Sequence, residues 1–265
     1  MPLIHITLTL PYLLRLPSER YHTGAEGGFL DLSERYVEDV NGLGAKYTAV
    51  SSDFDAPDYA TPEQRLVRKK AEADRLLRRV NRLMRWYRTV TGQAGLVELT
   101  RVQAGPFAFT ISGTAQAWTA DEPPLQFENA SPLLPNSLST ITVADSIRRG
   151  LAGQTDPAVA ELFLLDAEQA LRAGRFREAV LFCWSTIDST SNSKYDALVD
   201  QALVEEWSEG RQWLKDPRFG MRNKMSAVMY LLTGRSLFRE PDDLWQKLTE
   251  SYRKRNAIIH QGEIA

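Results

Sequence analysis

The chain has 265 residues, 43% hydrophobic and 25% charged, and a formal net charge of −2. These proportions fit a soluble globular protein with a sizeable core, arranged as one large domain or two modest ones. Cys183 is the only cysteine, which excludes an intramolecular disulfide and the multi-cysteine type of zinc site. Between Phe182 and Trp184 its thiol is expected to be buried.

The opening "MPLIHITLTLPYLLRLP" is apolar, but it lacks a basic leader, carries His5 inside the apolar run and is interrupted by Pro11. It fits neither a signal peptide nor a membrane span, so a cytoplasmic protein with no membrane association is expected. Within it, "LIHITLTL" alternates apolar and polar residues at the period of a strand. "AKYTAVSS", "GLVELTRV" and "PFAFTISGTAQAW" are β-prone as well. Segments 23–44 and 119–140 hold much of the Gly, Pro, Asn and acidic content and read as long connections or lids. The "GAEGG" at 24–28 has no preceding strand and no Gly-Lys-Ser/Thr ending, so it reads as a turn rather than a phosphate loop.

The clearest single element is a basic helix over 61–92. Thr61 with Gln64 forms a capping box, Pro62 suits the first turn and Gly92 supplies a stop. Leu66, Ala73, Val80 and Tyr87 recur at sevens, with Leu76, Leu77, Leu83 and Met84 between them, giving one apolar stripe to pack under a small sheet. Ten Arg or Lys residues against three acids leave residues 61–93 at about +7 and the remainder at about −9. Arg78, Arg79, Arg82 and Arg85 are the candidates for RNA binding, because guanidinium groups hold phosphate bidentately and release counterions. The competing reading is a solvated helix lying over an acidic body.

From about Thr142 the pattern is helix after helix. "TVADSIRRGLAG" is short, and "DPAVAELFLLDAEQALRAG" has Asp156 as cap, Pro157 in its first turn and Gly174 as stop. "RFREAVLFCWSTIDSTSN", "KYDALVDQALVEEW", "MRNKMSAVMYLLTG" and "DDLWQKLTESYRKRNAIIH" follow as four more helices. The expected fold class is therefore an α+β N-terminal region with a long basic helix, residues 1–150, and an all-α region, residues 151–265, predominantly helical overall. Trp184, Trp207, Trp213 and Trp245 fall in the helical half, where core or interface packing is the expected role.

The helix ending "AEQALRAGRFREAVLFCWSTID", followed about 65 residues later by "YRKRNAIIHQG", resembles the two signature helices of HEPN domains, with the second phrase similar to the Apea-like branch. The resemblance covers roughly 157–262. It implies a helical bundle, a homodimer with the motif helices facing each other, and metal-independent cleavage of RNA by transesterification in a prokaryotic defence or toxin-like setting. Arg255, Asn256 and His260 match its Arg-x4-His motif. It implies no cofactor and no metal. Members of the family also serve as non-catalytic modules that bind a nucleotide or a partner protein. Many relatives continue with a further helix after the histidine, whereas this sequence ends at Ala265, so packing or a second subunit is expected to help position His260.

The residues themselves suit that chemistry. Cleavage through the 2′-hydroxyl needs a proton acceptor, a proton donor and positive charge at the phosphate. An imidazole serves either proton role near neutrality, and a guanidinium is a permanently charged fork. On an ideal helix, Arg255 and His260 rise by ~7.5 Å and diverge by roughly 140°, whereas Asn256 and His260 share a face. Arg255 must therefore reach round the helix, and Asp188, or else Ser185 or Thr186, is the candidate to orient the imidazole. One copy offers a single histidine, so two copies about a twofold axis would supply both acceptor and donor.

A plainer reading stays open. Arg253, Lys254, Arg255 and His260 complement a helix dipole and Gly262 is an ordinary stop, so the stretch can be only a basic helix end. A structural scaffold dimer is a third possibility. His5 and His22 carry no partner motif and are set aside as non-catalytic. Glu205 with Glu206 and Asp242 with Asp243 are adjacent and point apart, unlike a glycosidase pair. No Gly-x-Ser-x-Gly context is present.

Overall fold

The computed structural model describes residues 3–24, 28–38, 44–55, 62–101, 103–104, 107–111, 117–118, 140–153, 155–202, 208–216, 218, 220, 223–240 and 243–261. The chain divides into two compact units, Met1–Pro157 and Ala158–Ala265. The division follows α2, so it falls slightly beyond the joint expected near residue 150.

Among the described residues the first unit holds six strands: β1 (Leu3–Thr9), β2 (Arg20–His22), β3 (Phe29–Glu38), β4 (Gly44–Asp55), β5 (Phe107–Ile111) and β6 (Ala117–Trp118). They form one antiparallel sheet in the order β2-β3-β4-β1-β5-β6. The alternation in "LIHITLT" does what a period of two dictates: Ile4, Ile6 and Leu8 face inward, and His5 and Thr7 face outward. Under the inner face lie α1 (Pro62–Thr91) and α2 (Thr140–Ala152). Ala73, Leu76, Val80, Leu83, Met84 and Tyr87 are buried there, as the stripe required. Gly92 ends α1 at φ 67°. Thr61 and the side chain of Leu66 lie outside the described residues.

Three expectations fail in this unit. A strand does precede "GAEGG", because β2 ends at His22. Segment 23–44 is not simply a connection, because β3 occupies much of it: Leu30 and Leu32 are buried in alternation with polar neighbours. The β-prone "GLVELTRV" does not join the sheet either. Leu96 and Leu99 are buried, and Asn81 of α1 clamps Leu99, accepting from its N–H at 2.8 Å and donating to its carbonyl at 2.9 Å. One carboxamide thus satisfies both backbone groups that a neighbouring strand would otherwise have satisfied. Most of segment 119–140 lies outside the described residues.

Every regular element described in the second unit is helical: α3 (Val159–Arg172), α4 (Phe176–Ala202), α5 (Ser208–Lys215), α6 (Met229–Thr233) and α7 (Leu244–Gln261). A π-helical turn, Lys224–Val228, leads into α6, and a 3-10 turn covers Leu237–Arg239. Gly174 closes the α3–α4 turn at φ 71°, as its place after the apolar run predicts. The two helices expected over 175–207 are in fact one: α4 runs unbroken through "STSNS". Buried Trp184 before that polar stretch and Tyr195 and Val199 after it anchor both halves, overriding its weak helix propensity. Asp156 does not cap α3, whose N-cap is Ala158; its carboxylate pairs with Arg82 and Arg85 instead. Cys183 is exposed, because α4 turns it away from the face that buries Trp184.

Candidate functional site

The two helices singled out by the sequence pack together. The Trp184 indole N–H of α4 donates to Ser251 Oγ of α7 at 2.9 Å, and its ring meets Tyr252 edge-on, with centroids 5.3 Å apart. Ser251, Arg255 and Ile258 recur at fours and threes, so they form the stripe of α7 turned toward this contact, and Ile258 is buried.

Arg255 therefore projects from the packed side. Its guanidinium lies 6.0 Å from the Tyr252 ring centroid and donates through Nη1 to Asn256 Oδ1 at 3.0 Å. Asp188, one turn beyond Trp184 on α4, lies within reach of that charge. Burial raises the Asp188 carboxyl above its ordinary range, and the positive Arg255 opposes the rise without cancelling it.

His260 is elsewhere. Five residues past Arg255, it stands exposed in the last turn of α7, and no hydrogen bond joins it to another described residue. Asp188 was expected to orient the imidazole; the structure gives it Arg255 as its charged neighbour instead. Ser185 and Thr186 are also committed elsewhere. Ser185 Oγ donates to the Leu181 carbonyl at 3.0 Å, and Thr186 Oγ1 lies 3.1 and 3.2 Å from the carbonyls of Phe182 and Ala160. The divergence computed from spacing thus persists: Arg255, Asn256 and Asp188 are grouped, while His260 faces solvent. Gly262 lies outside the described residues.

Another basic group reaches α4. Lys224, buried on the π-helical turn, donates to Asn192 Oδ1 at 2.9 Å and sits 5.0 Å from the centroid of the buried Tyr195 ring. Asn192 follows Asp188 by one turn of α4, so the acid and the amide share a stripe. The sequence reading missed Lys224, because nothing in "MRNKMSAV" marks a π turn.

The four arginines proposed to meet phosphate are sorted by the fold. Arg79 is buried, donates to Ser52 Oγ at 2.8 Å and lies 4.8 Å from the Phe54 ring centroid. Arg82 is buried too, bonded to Asp156 at 3.0 Å and to the carbonyls of Leu151, Gly153 and Thr155 at 2.7–3.3 Å. Arg85 bridges Glu98 and Asp156. Only Arg78 of the four is exposed. Three of the four are thus engaged within their own unit.

Trp213, expected in a core or interface, is exposed, and Trp207 lies outside the described residues. Among the described residues no group of His, Cys, Asp or Glu could hold a metal ion, and no helix is long and apolar enough to cross a membrane. No family model, curated protein or solved structure matches this chain.

Proposed function

We propose that the helical unit is a HEPN-type module and that the protein is a metal-independent endoribonuclease. One observation carries this reading: the two helices quoted for the resemblance pack against each other through Trp184, Ser251 and Tyr252. That contact groups Asp188, Arg255 and Asn256. In the proposed reaction Arg255 stabilises the pentacoordinate phosphate and His260 moves the proton. A second copy of the chain supplies the second histidine, with Arg255 and His260 of both copies lining one cleft. The prokaryotic defence setting rests on the resemblance alone.

The exposed His260, unattached to Asp188, favours a second reading. In it the module is non-catalytic, and the face around Arg255 binds a nucleotide or a partner protein. Incubating purified protein with RNA in EDTA separates the two. Cleavage that leaves 2′,3′-cyclic phosphate ends and vanishes in His260→Ala supports the nuclease; intact RNA, with a nucleotide raising the melting temperature, supports the binding module. Cleavage that survives His260→Ala or requires magnesium overturns the nuclease reading.

A further inference from the structure

The outward face of the sheet carries an arrangement that the sequence reading set aside. His5 and Thr7 are two apart on β1, so a strand puts both side chains on one face, and β4 brings Asp53 directly opposite His5. His5 Nδ1 lies 2.7 Å from Asp53 Oδ1, and His5 Nε2 lies 3.3 Å from Thr7 Oγ1. With the Nδ1 proton donated to Asp53, Nε2 carries the lone pair and accepts from the threonine hydroxyl. Hydroxyl, base and orienting carboxylate thus stand in the order that activates an oxygen nucleophile. All three are partly open to solvent, so a small molecule can reach them. Ser51 pairs with Thr7 on β4 and Ala108 pairs with it on β5, so small side chains flank the hydroxyl.

We propose that Thr7, His5 and Asp53 form an acyl-transfer site for esters with a short acyl group, separate from the ribonuclease reading. Thr7 Oγ attacks the ester carbonyl, and His5 Nε2 takes the hydroxyl proton. The carbon–oxygen bond to the alcohol breaks, and that proton leaves with the alcohol. Water, deprotonated by His5, then hydrolyses the acyl-threonine, releasing the carboxylic acid and restoring the hydroxyl. The site's weakness sets its substrate class. β1 is paired on both sides, with β4 and β5, so its ladder amides are occupied and leave no backbone oxyanion hole. Arg20, whose charge is coupled to Asp53, is forked onto Asp31 through two bonds of 2.8 Å. Esters with a stabilised leaving group are therefore turned over, and amides are not.

The test uses the full chain and p-nitrophenyl acetate. The expected result is p-nitrophenolate release faster than an equal concentration of free imidazole gives, with an acetyl group mapped by mass spectrometry to Thr7. Thr7→Val abolishes the adduct and Thr7→Ser retains it. Asp53→Asn slows release by at least about tenfold, because the imidazole loses its orienting acceptor. His260→Ala leaves the reaction unchanged, so the outcome is independent of RNA cleavage. Acetylation confined to lysines or to His5, or release unaltered in folded Thr7→Val and Asp53→Asn proteins, overturns the proposal and leaves the three residues as a tie between two strands.

Discussion

Asp188 on α4 sits within the field of Arg255 on α7, yet its carboxyl remains raised, because burial outweighs the attraction of the guanidinium. A carboxyl raised on folding holds its proton more tightly in the folded chain than in the unfolded one. It lowers stability as pH climbs through the interval between its unfolded and folded values, and below that interval it carries no penalty. Asp188→Asn removes the half-buried charge at nearly constant shape. Melts of the variant at neutral pH are expected to lie above those of the wild type, with the gap closing as pH falls below the ordinary aspartate range. A gap that widens on acidification would show that the Arg255 attraction dominates.

Arg255 and His260 should separate in their effects. Arg255 belongs to the packed stripe, whereas His260 is exposed. His260→Ala is therefore expected to keep the stability within the range of surface substitutions, about ±0.5 kcal/mol. Arg255→Ala should lower it while also removing cleavage. Mixing the two inactive variants probes the two-copy site. Reassorted subunits leave the shared cleft with a single histidine, so the mixture should stay inactive, whereas light scattering should give a dimer. A monomer that still cuts RNA contradicts the composite site.

Among the arginines of α1, structural and solvent-facing roles predict opposite results. Arg82 satisfies three carbonyls and Asp156 from a buried position, so Arg82→Gln is expected to destabilise the first unit by about 2–4 kcal/mol. Arg78→Gln, at an exposed position, should cost less than about 1 kcal/mol. If RNA binds through α1, the Arg78 change flattens the salt dependence of affinity without lowering stability. Denaturant titration and binding at two salt concentrations measure both effects.

Glycines give a sharper steric comparison. A β-carbon at Gly150 of α2 would stand 2.4 Å from Trp86 Cδ2, whereas one at Gly95 would meet nothing within 4 Å. Gly150→Ala is expected to lower stability by about 1–3 kcal/mol through overpacking, despite the gain in helix propensity. Gly95→Ala should be neutral or stabilising by up to about 1 kcal/mol. Thermal melts of the two variants decide it, and equal effects would mean that α2 can shift away from α1.

Elements with an unbroken period could be read from the residues alone. The alternation of β1 and the sevenfold recurrence in α1 each specify a buried face, and the structure buries those faces. What failed depended on partners distant in sequence. "GLVELTRV" has the composition of a strand, but the backbone hydrogen bonds of Leu99 at its centre are made with the Asn81 side chain, and composition cannot reveal that. Asp156 looks like a helix cap until Arg82 and Arg85 arrive from more than seventy residues away. The site was legible in part for the same reason: spacing alone gave the divergence of Arg255 and His260. That Asp188 would neighbour the arginine and not the histidine required the packing of α4 on α7. His5 was discounted because its partner Asp53 is contributed by another strand.

The placement of β1 within its sheet has a consequence for time as well as for shape. Its neighbours are β4 and β5, and Ile4 must find Phe54 on one side and Ile111 on the other. During synthesis the apolar row of Ile4, Ile6 and Leu8 emerges long before β5 is available to pair with it. Closure of this centre waits on a distant segment, which raises the entropy lost in the rate-limiting encounter and slows folding relative to the helical unit. Until then β1 offers an unpaired backbone edge to any other nascent chain, so the first unit is where a chaperone has most to protect.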